Sequence, residues 1–232
     1  MELFGKIALA FEHGGIWMYP ILLVQMASIA IMAERAYTLY FKRKTNQKAF
    51  AASFESMIRK GRVEEAIDTA KTQTTNNPVA NAIVAGGQAA LGFGGRDEIQ
   101  GRMDEVLLEE NFKAEKRIGF LAMMGNVSTL IGLLGTITGM IKSFGAVSMA
   151  SPAEKASLLS AGISEAMNCT AYGLIVAIPA LLAYAILQNR ANTVNEDLNQ
   201  GALKVFNWLS YSFENMTARP VQKETRTTEA NA

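Results

Sequence analysis

The stretch IGFLAMMGNVSTLIGLLGTITGMI, from Ile118 to Ile141, runs for 24 residues without one Asp, Glu, Lys or Arg. As an α-helix rising about 1.5 Å per residue it is roughly 36 Å long, enough to cross the hydrocarbon core of a bilayer. A helix of that length buried in a water-soluble core would be expected to keep a charged face, and this one has none. Two more stretches read the same way: Gly14 to Ala33, with 20 uncharged residues, and Ala166 to Asn189, with 24. The sequence therefore predicts an all-α membrane protein with three transmembrane helices.

The averages hide this. Half of the 232 residues are apolar, 19% are charged and the net charge is +1, values that suit an ordinary soluble domain. Outside the three runs the proportion of charge is normal; inside them it is zero. The near-neutral sum provides no basic field for nucleic acid. The single cysteine, Cys169, and the single histidine, His13, leave no disulfide framework, no zinc cluster and no histidine-based triad. No enzyme chemistry, metal site or cofactor site is expected.

The first span is not a cleaved signal peptide, because its positive charge follows the apolar run instead of preceding it. Glu2, Lys6 and Glu12 lie before it, and Arg35, Lys42, Arg43 and Lys44 after it. Trp17, Met18 and Tyr19 suit the headgroup region, and Pro20 suits a first helical turn. Residues 35–117 hold 14 Lys and Arg, residues from 190 onward hold five, and only Lys6, Lys142 and Lys155 lie elsewhere. The positive-inside rule then puts the N-terminus outside and the C-terminus in the cytoplasm.

These readings divide the chain into an external segment (1–13), a first span (14–41), a cytoplasmic helical domain (42–96), a cytoplasmic extension of the second helix (97–117) and the second span (118–141). A short external loop (142–164), the third span (165–190), a second cytoplasmic extension (191–218) and a polar, disordered tail (219–232) follow. In the cytoplasmic domain Gly61 ends one helix, Pro78 opens another, and Gly92, Gly94 and Gly95 break the chain before a further start near Arg96 or Asp97. From Asp97 no breaker intervenes, so one helix of about 45 residues is predicted to run into the second span. Beyond Arg190, Val194, Leu198, Val205 and Trp208 fall near heptad spacing with Gly201 in the seam. They suit either a helix packed on its own subunit or a seam between subunits.

Polar residues inside the spans are the functional candidates. Gly125, Gly132 and Gly139 recur every seven residues on one face, and Gly135 and Gly139 form a G-x-x-x-G pair, a pattern for close helix packing in lipid. Thr129 and Thr136 share another stripe, where a hydroxyl often bonds back to its own helix. The third span opens with Glu165, Asn168, Cys169, Thr170 and Tyr172. Glu165 reads either as an interfacial anchor or as a functional carboxylate, and an ionisable group at a membrane span favours the second. Cys169 reads as a packing residue and Pro179 as a tolerated kink.

The run Gly132-Leu-Leu-Gly-Thr136, together with Gly162-Ile-Ser-Glu165-Ala-Met-Asn-Cys-Thr170-Ala-Tyr-Gly173 leading into Ala177-Ile-Pro179-Ala180, resembles the ExbB/TolQ/MotA proton-channel family. Three spans, an outside N-terminus and a large first cytoplasmic segment match ExbB and TolQ better than four-span MotA, and Gly15-Ile-Trp-Met-Tyr-Pro20 leans towards ExbB. The resemblance implies a bacterial inner-membrane motor subunit driven by proton-motive force, powering TonB-dependent uptake. A TolQ-like envelope or gliding motor is the alternative within the family, and a non-conducting scaffold the alternative outside it.

It further implies an oligomeric ring, a homopentamer, around a dimer of single-span ExbD- or TolR-like partners that supply a membrane aspartate, with a TonB-like protein and membrane lipid as further partners. Protons are then the transported ion. Thr136 and Thr170 fall on the family's pore threonines, Gly135 on the glycine before the first, and Glu165 on its third-span glutamate. With Thr129 and Asn168 these form the expected proton pathway. Gly125, Gly132, Gly135, Gly139 and Gly173 form the packing set. Asn168 and Cys169 are more polar than the residues usual at their places.

Overall fold

Long apolar runs fold as helices because hydrocarbon provides no partner for an unpaired backbone N–H or C=O. The computed structural model describes residues 15–42, 46–74, 77–92 and 94–229, with side chains as far as Phe213 apart from Met149. The regular structure of the described residues is entirely helical. In chain order the helices are α1 (Met18–Tyr37), a π-helical turn at Thr38–Lys42, α2 (Gln47–Ser53), α3 (Glu55–Arg59) and α4 (Val63–Lys71). Then come α5 (Pro78–Leu91), α6 (Arg96–Glu115), α7 (Ile118–Met149) and α8 (Pro152–Glu229). Three of the helical stretches are long and apolar enough to cross a membrane: Met18–Phe41, Arg96–Ser148 and Pro152–Phe213. The expected external segment, 1–13, lies outside the described residues, as do the side chains of residues 219–232; the backbone of the tail expected to be disordered continues α8 as far as Glu229.

The chain forms two compact units, one from the described residues up to Ala36 with Arg117–Gln188, the other from Tyr37–Lys116 with the described residues from Asn189 on. In the first unit α1, α7 and the first part of α8 pack together. Met18, Ile21, Ser28 and Arg35 form the buried stripe of α1, at helical spacing. Met18 and Ile21 meet Cys169 and Val176 of α8 in a small core, flanked by Trp17, Ile131 and Tyr172. The outward faces are apolar too: Leu130, Leu133 and Ile137 on α7, and Met167, Ile178 and Leu182 on α8, are exposed. That inversion of the soluble pattern is what lipid-facing helices require.

The second unit has a conventional core. Phe54, Ile58, Ile67, Ile83, Met103 and Leu209 are among its buried residues. Gly61 adopts φ 78 and separates α3 from α4; Pro78 stands at the first turn of α5. Along α8, Val194, Leu198, Val205 and Trp208 are buried, and Leu198, Val205 and Trp208 belong to the core of their own unit. Of the two readings of that heptad stripe, packing within the subunit is the one the structure adopts.

Two boundaries differ from the sequence-based expectation. The single helix predicted from Asp97 into the second span is divided. Lys116 leaves the helical conformation (φ −47, ψ 129), and Arg117 is left-handed (φ 66), alone among the described non-glycine residues. A left-handed residue with a Cβ costs about 1–2 kcal/mol. The compensation lies in α1: Arg117 Nη1 donates to both carboxylate oxygens of Glu34 at 3.1 and 2.9 Å, while Arg35 donates to the same carboxylate at 2.5 Å. Periodicity cannot report a partner 83 positions away.

The loop expected at 142–164 is mostly helix as well. The helix α7 runs to Met149 and α8 starts at Pro152, leaving only Ala150 and Ser151 between them. Ser151 and Glu154 fix the new start: the Ser151 hydroxyl donates to Glu154 Oε2 at 2.6 Å and the Ser151 N–H donates to the same oxygen at 3.4 Å. With Pro152 at the first helical position, this is a capping arrangement.

Candidate functional site at the paired faces of the second and third spans

The glycines of α7 let it lie directly on α8. A Cβ on Gly132 would meet the Cα atoms of Thr170 and Gly173 at 3.3 and 3.4 Å, and one on Gly173 would stand 2.8 Å from the Ser128 carbonyl oxygen. Gly125 faces Leu181 and Ala177, Gly135 faces Cys169, and Gly139 faces Ala166. Advancing along α7 therefore retreats along α8, the register of an antiparallel pair. In lipid, where apolar surface alone drives little association, such backbone proximity supplies the van der Waals contact.

At this contact, two hydroxyls cross between the helices. Thr170 Oγ1 donates to the Gly132 carbonyl at 3.0 Å, and Ser128 Oγ donates to the Gly173 carbonyl at 3.1 Å. Each glycine thus brings the backbones together and accepts a bond from the opposite helix. The other threonines bond within α7: Thr136 Oγ1 donates to the Leu133 carbonyl at 2.6 Å, Thr129 Oγ1 to Gly125 at 3.1 Å. Among the described residues no hydrogen bond joins Thr136 to Thr170; they are related through Gly132, one turn before Thr136 and bonded by Thr170. Thr129 is exposed, while Thr136, Asn168 and Thr170 are half-buried.

A hydroxyl that donates to a carbonyl still has its oxygen lone pairs. Thr136, Thr170 and Thr129 can therefore each accept a hydrogen bond from water on the side away from their carbonyl. Glu165 stands one helical turn and more from Thr170, towards the start of α8. Its carboxylate lies 3.8 Å from the Lys142 ammonium and packs on Gly15, which has φ +70. Tyr172 donates its hydroxyl to the Gln25 side chain, tying α8 to α1.

Sequence reasoning did not assign Ser128, Lys142 or Gln25 to the site. Each left a trace: Ser128 precedes Gly132 by one turn, Lys142 is the one charged residue of α7, and Gln25 is the one side-chain amide of the first span. Among the described residues no group of three or more metal-ligating side chains occurs.

The fold and this site define a class: an all-helical membrane protein with three spans, the second and third of which share a tight, hydroxyl-bearing face. Comparison with known proteins agrees. The profile of the MotA/TolQ/ExbB proton channel family matches residues 74–200. The Tol-Pal system protein TolQ of Haemophilus influenzae is 34% identical over 127 residues, 55% of this chain and 50% of TolQ. The biopolymer transport protein ExbB of Salmonella typhimurium is 31% identical over 119 residues, 46% of this chain and 48% of ExbB. An ExbB-like protein of Synechocystis is 34% identical over 175 residues, 73% of this chain and 79% of its own length. The chain belongs to the MotA/TolQ/ExbB proton channel family. Its matched region spans about half the length of the TolQ and ExbB relatives.

Proposed function

We propose that this chain is the proton-conducting subunit of a membrane motor driven by proton-motive force. The observation that carries the reading is the shared face of α7 and α8, where Thr136 and Thr170 provide hydroxyls on two helices with no charge between Ile118 and Ile141 or between Ala166 and Asn189. A proton cannot cross an apolar helix, but a hydroxyl that both donates and accepts can order water for its passage. Each proton moving inward releases roughly 2.3 kcal/mol per 100 mV of membrane potential.

The chain has no aspartate in any of its three spans, which agrees with a division of labour in which a partner supplies the group that carries the proton. A single-span protein with a membrane aspartate fits, held as a dimer inside a ring of five copies of this chain. Protonation neutralises the partner's carboxylate and lets it pass an apolar wall; release near the next subunit's threonines completes the step. The N-terminus lies outside, and the Lys- and Arg-rich segments 35–117 and 190–232 lie in the cytoplasm of a bacterial inner-membrane protein. Thr129 and Asn168 extend the polar path, and Glu165 acts near its outer end.

The energised process is ExbB-like, powering outer-membrane transport through a TonB-like protein. A TolQ-like envelope role is the second reading, favoured by the 34% identity to the Tol-Pal protein. Cells carrying Thr136→Val with Thr170→Val should still assemble the complex and lose the process that depends on proton-motive force. Full activity of that assembled double variant would reduce the chain to a scaffold. Complementation of strains lacking either TonB-dependent uptake or Tol function separates the two family readings.

A further inference from the structure

At the outer end of the site, Lys142, Glu165 and Gly15 line a recess of about 740 Å3 together with Ser157, Ser160 and Ser164. Its charges form one pair: the Lys142 ammonium lies 3.8 Å from Glu165, and its side chain is 78% exposed against 32% for Glu165. An ion pair that exposed contributes little to stability, so its presence calls for another reason.

The reason lies in what the recess would hold without it. A carboxylate beside hydroxyl oxygens is the donor set of a hard metal cation. Lys142 is the sole charge of α7, and between Ser157 and Asn189 Glu165 is the sole charge of α8. No other cation of these helix segments would take the place of the ammonium.

We propose that Lys142 is a positioning residue that acts as a fixed counter-ion to Glu165, keeping the outer recess from holding an alkali cation while leaving it open to protons. The inference rests on the proton-path reading of the family face. Sodium must be coordinated, which requires a carboxylate free to face it, and the Lys142 ammonium stands 3.8 Å from Glu165 Oε2. A proton moves along hydrogen-bonded water and hydroxyls and needs no such coordination.

The test uses the full chain in lipid nanodiscs, with 23Na line broadening measured as NaCl replaces choline chloride at constant ionic strength. The wild type and Lys142→Arg should bind sodium weakly and equally. Lys142→Gln should bind sodium at least tenfold more tightly, and Lys142→Gln with Glu165→Gln should lose that binding. Lys142→Met repeats the measurement if the glutamine variant does not fold. Sodium binding by Lys142→Gln and Lys142→Met no stronger than that of the wild type, at unchanged helicity and oligomer size, overturns the proposal. So does tightened binding that survives Glu165→Gln. Binding is read without a gradient or partner, so failure here leaves the proton-path reading to stand or fall by its own test.

Discussion

At the scale of single residues, Gly173 and Gly119 are chemically alike and placed very differently. A Cβ on Gly173 would stand 2.8 Å from a backbone carbonyl oxygen, whereas one on Gly119 meets nothing within 4 Å. Backbone cannot swing aside as a side-chain tip can, so Gly173→Ala should force α7 and α8 apart and cost about 1–3 kcal/mol. Gly119→Ala should be neutral or slightly stabilising, since alanine favours a helix over glycine. Melting of the two variants in detergent checks the contrast; equal melting points would contradict the packing described for Gly132 and Gly173. Glu154 makes a second case. The Ser151 hydroxyl and N–H hold its carboxyl below the ordinary value of 4.5. A carboxyl lowered on folding contributes above its ordinary range, and the contribution disappears as pH falls through the lowered value. Amide-exchange protection at Ser151 should therefore be lost on acidification below the usual carboxylate range, and Glu154→Gln should show no such step.

At the scale of elements, the junction between α6 and α7 shows what a sequence can and cannot reveal. Three uncharged runs, a proline at the start of α5 and a glycine between α3 and α4 are local features, and each can be read where it stands. The break at Lys116–Arg117 is not local: no glycine or proline marks it, and its stabilising partner, Glu34, sits on α1. The same holds for Thr170 and Ser128. Their type and spacing were visible, but the carbonyls they reach became known only once two helices had been set in register. Lys142 was legible as a charge and not as the partner of Glu165, for the same reason. A quantitative expectation follows for the break. Arg117→Ala keeps the left-handed backbone and loses the bonds to Glu34, whereas Arg117→Gly loses the bonds and relieves the strain. The glycine variant should be the more stable of the two by about 1 kcal/mol, measured by thermal or denaturant unfolding. The reverse order would show that the left-handed residue carries no strain.

At the scale of the whole molecule, the chain's charge pattern and its exposed surfaces agree with one account. Charge is absent from three runs, and the first unit turns large apolar side chains outward while it hides serines, glycines and a cysteine inside. Such a surface suits the lipid tails of a bilayer, in keeping with the proton channel family to which the chain belongs. The process that the proposed motor would energise is not legible in the spans, because it would be set by contacts with other proteins that no local pattern of this sequence reports. If protons pass along the shared face of α7 and α8, a direct flux measurement shows it. The complex with the proposed single-span partner is placed in vesicles carrying a pH-sensitive dye, and a potassium diffusion potential drives protons inward. Wild-type vesicles should acidify, and vesicles with Thr136→Val and Thr170→Val should do so at least tenfold more slowly, with the complex intact. Undiminished acidification by the double variant would place the proton path elsewhere.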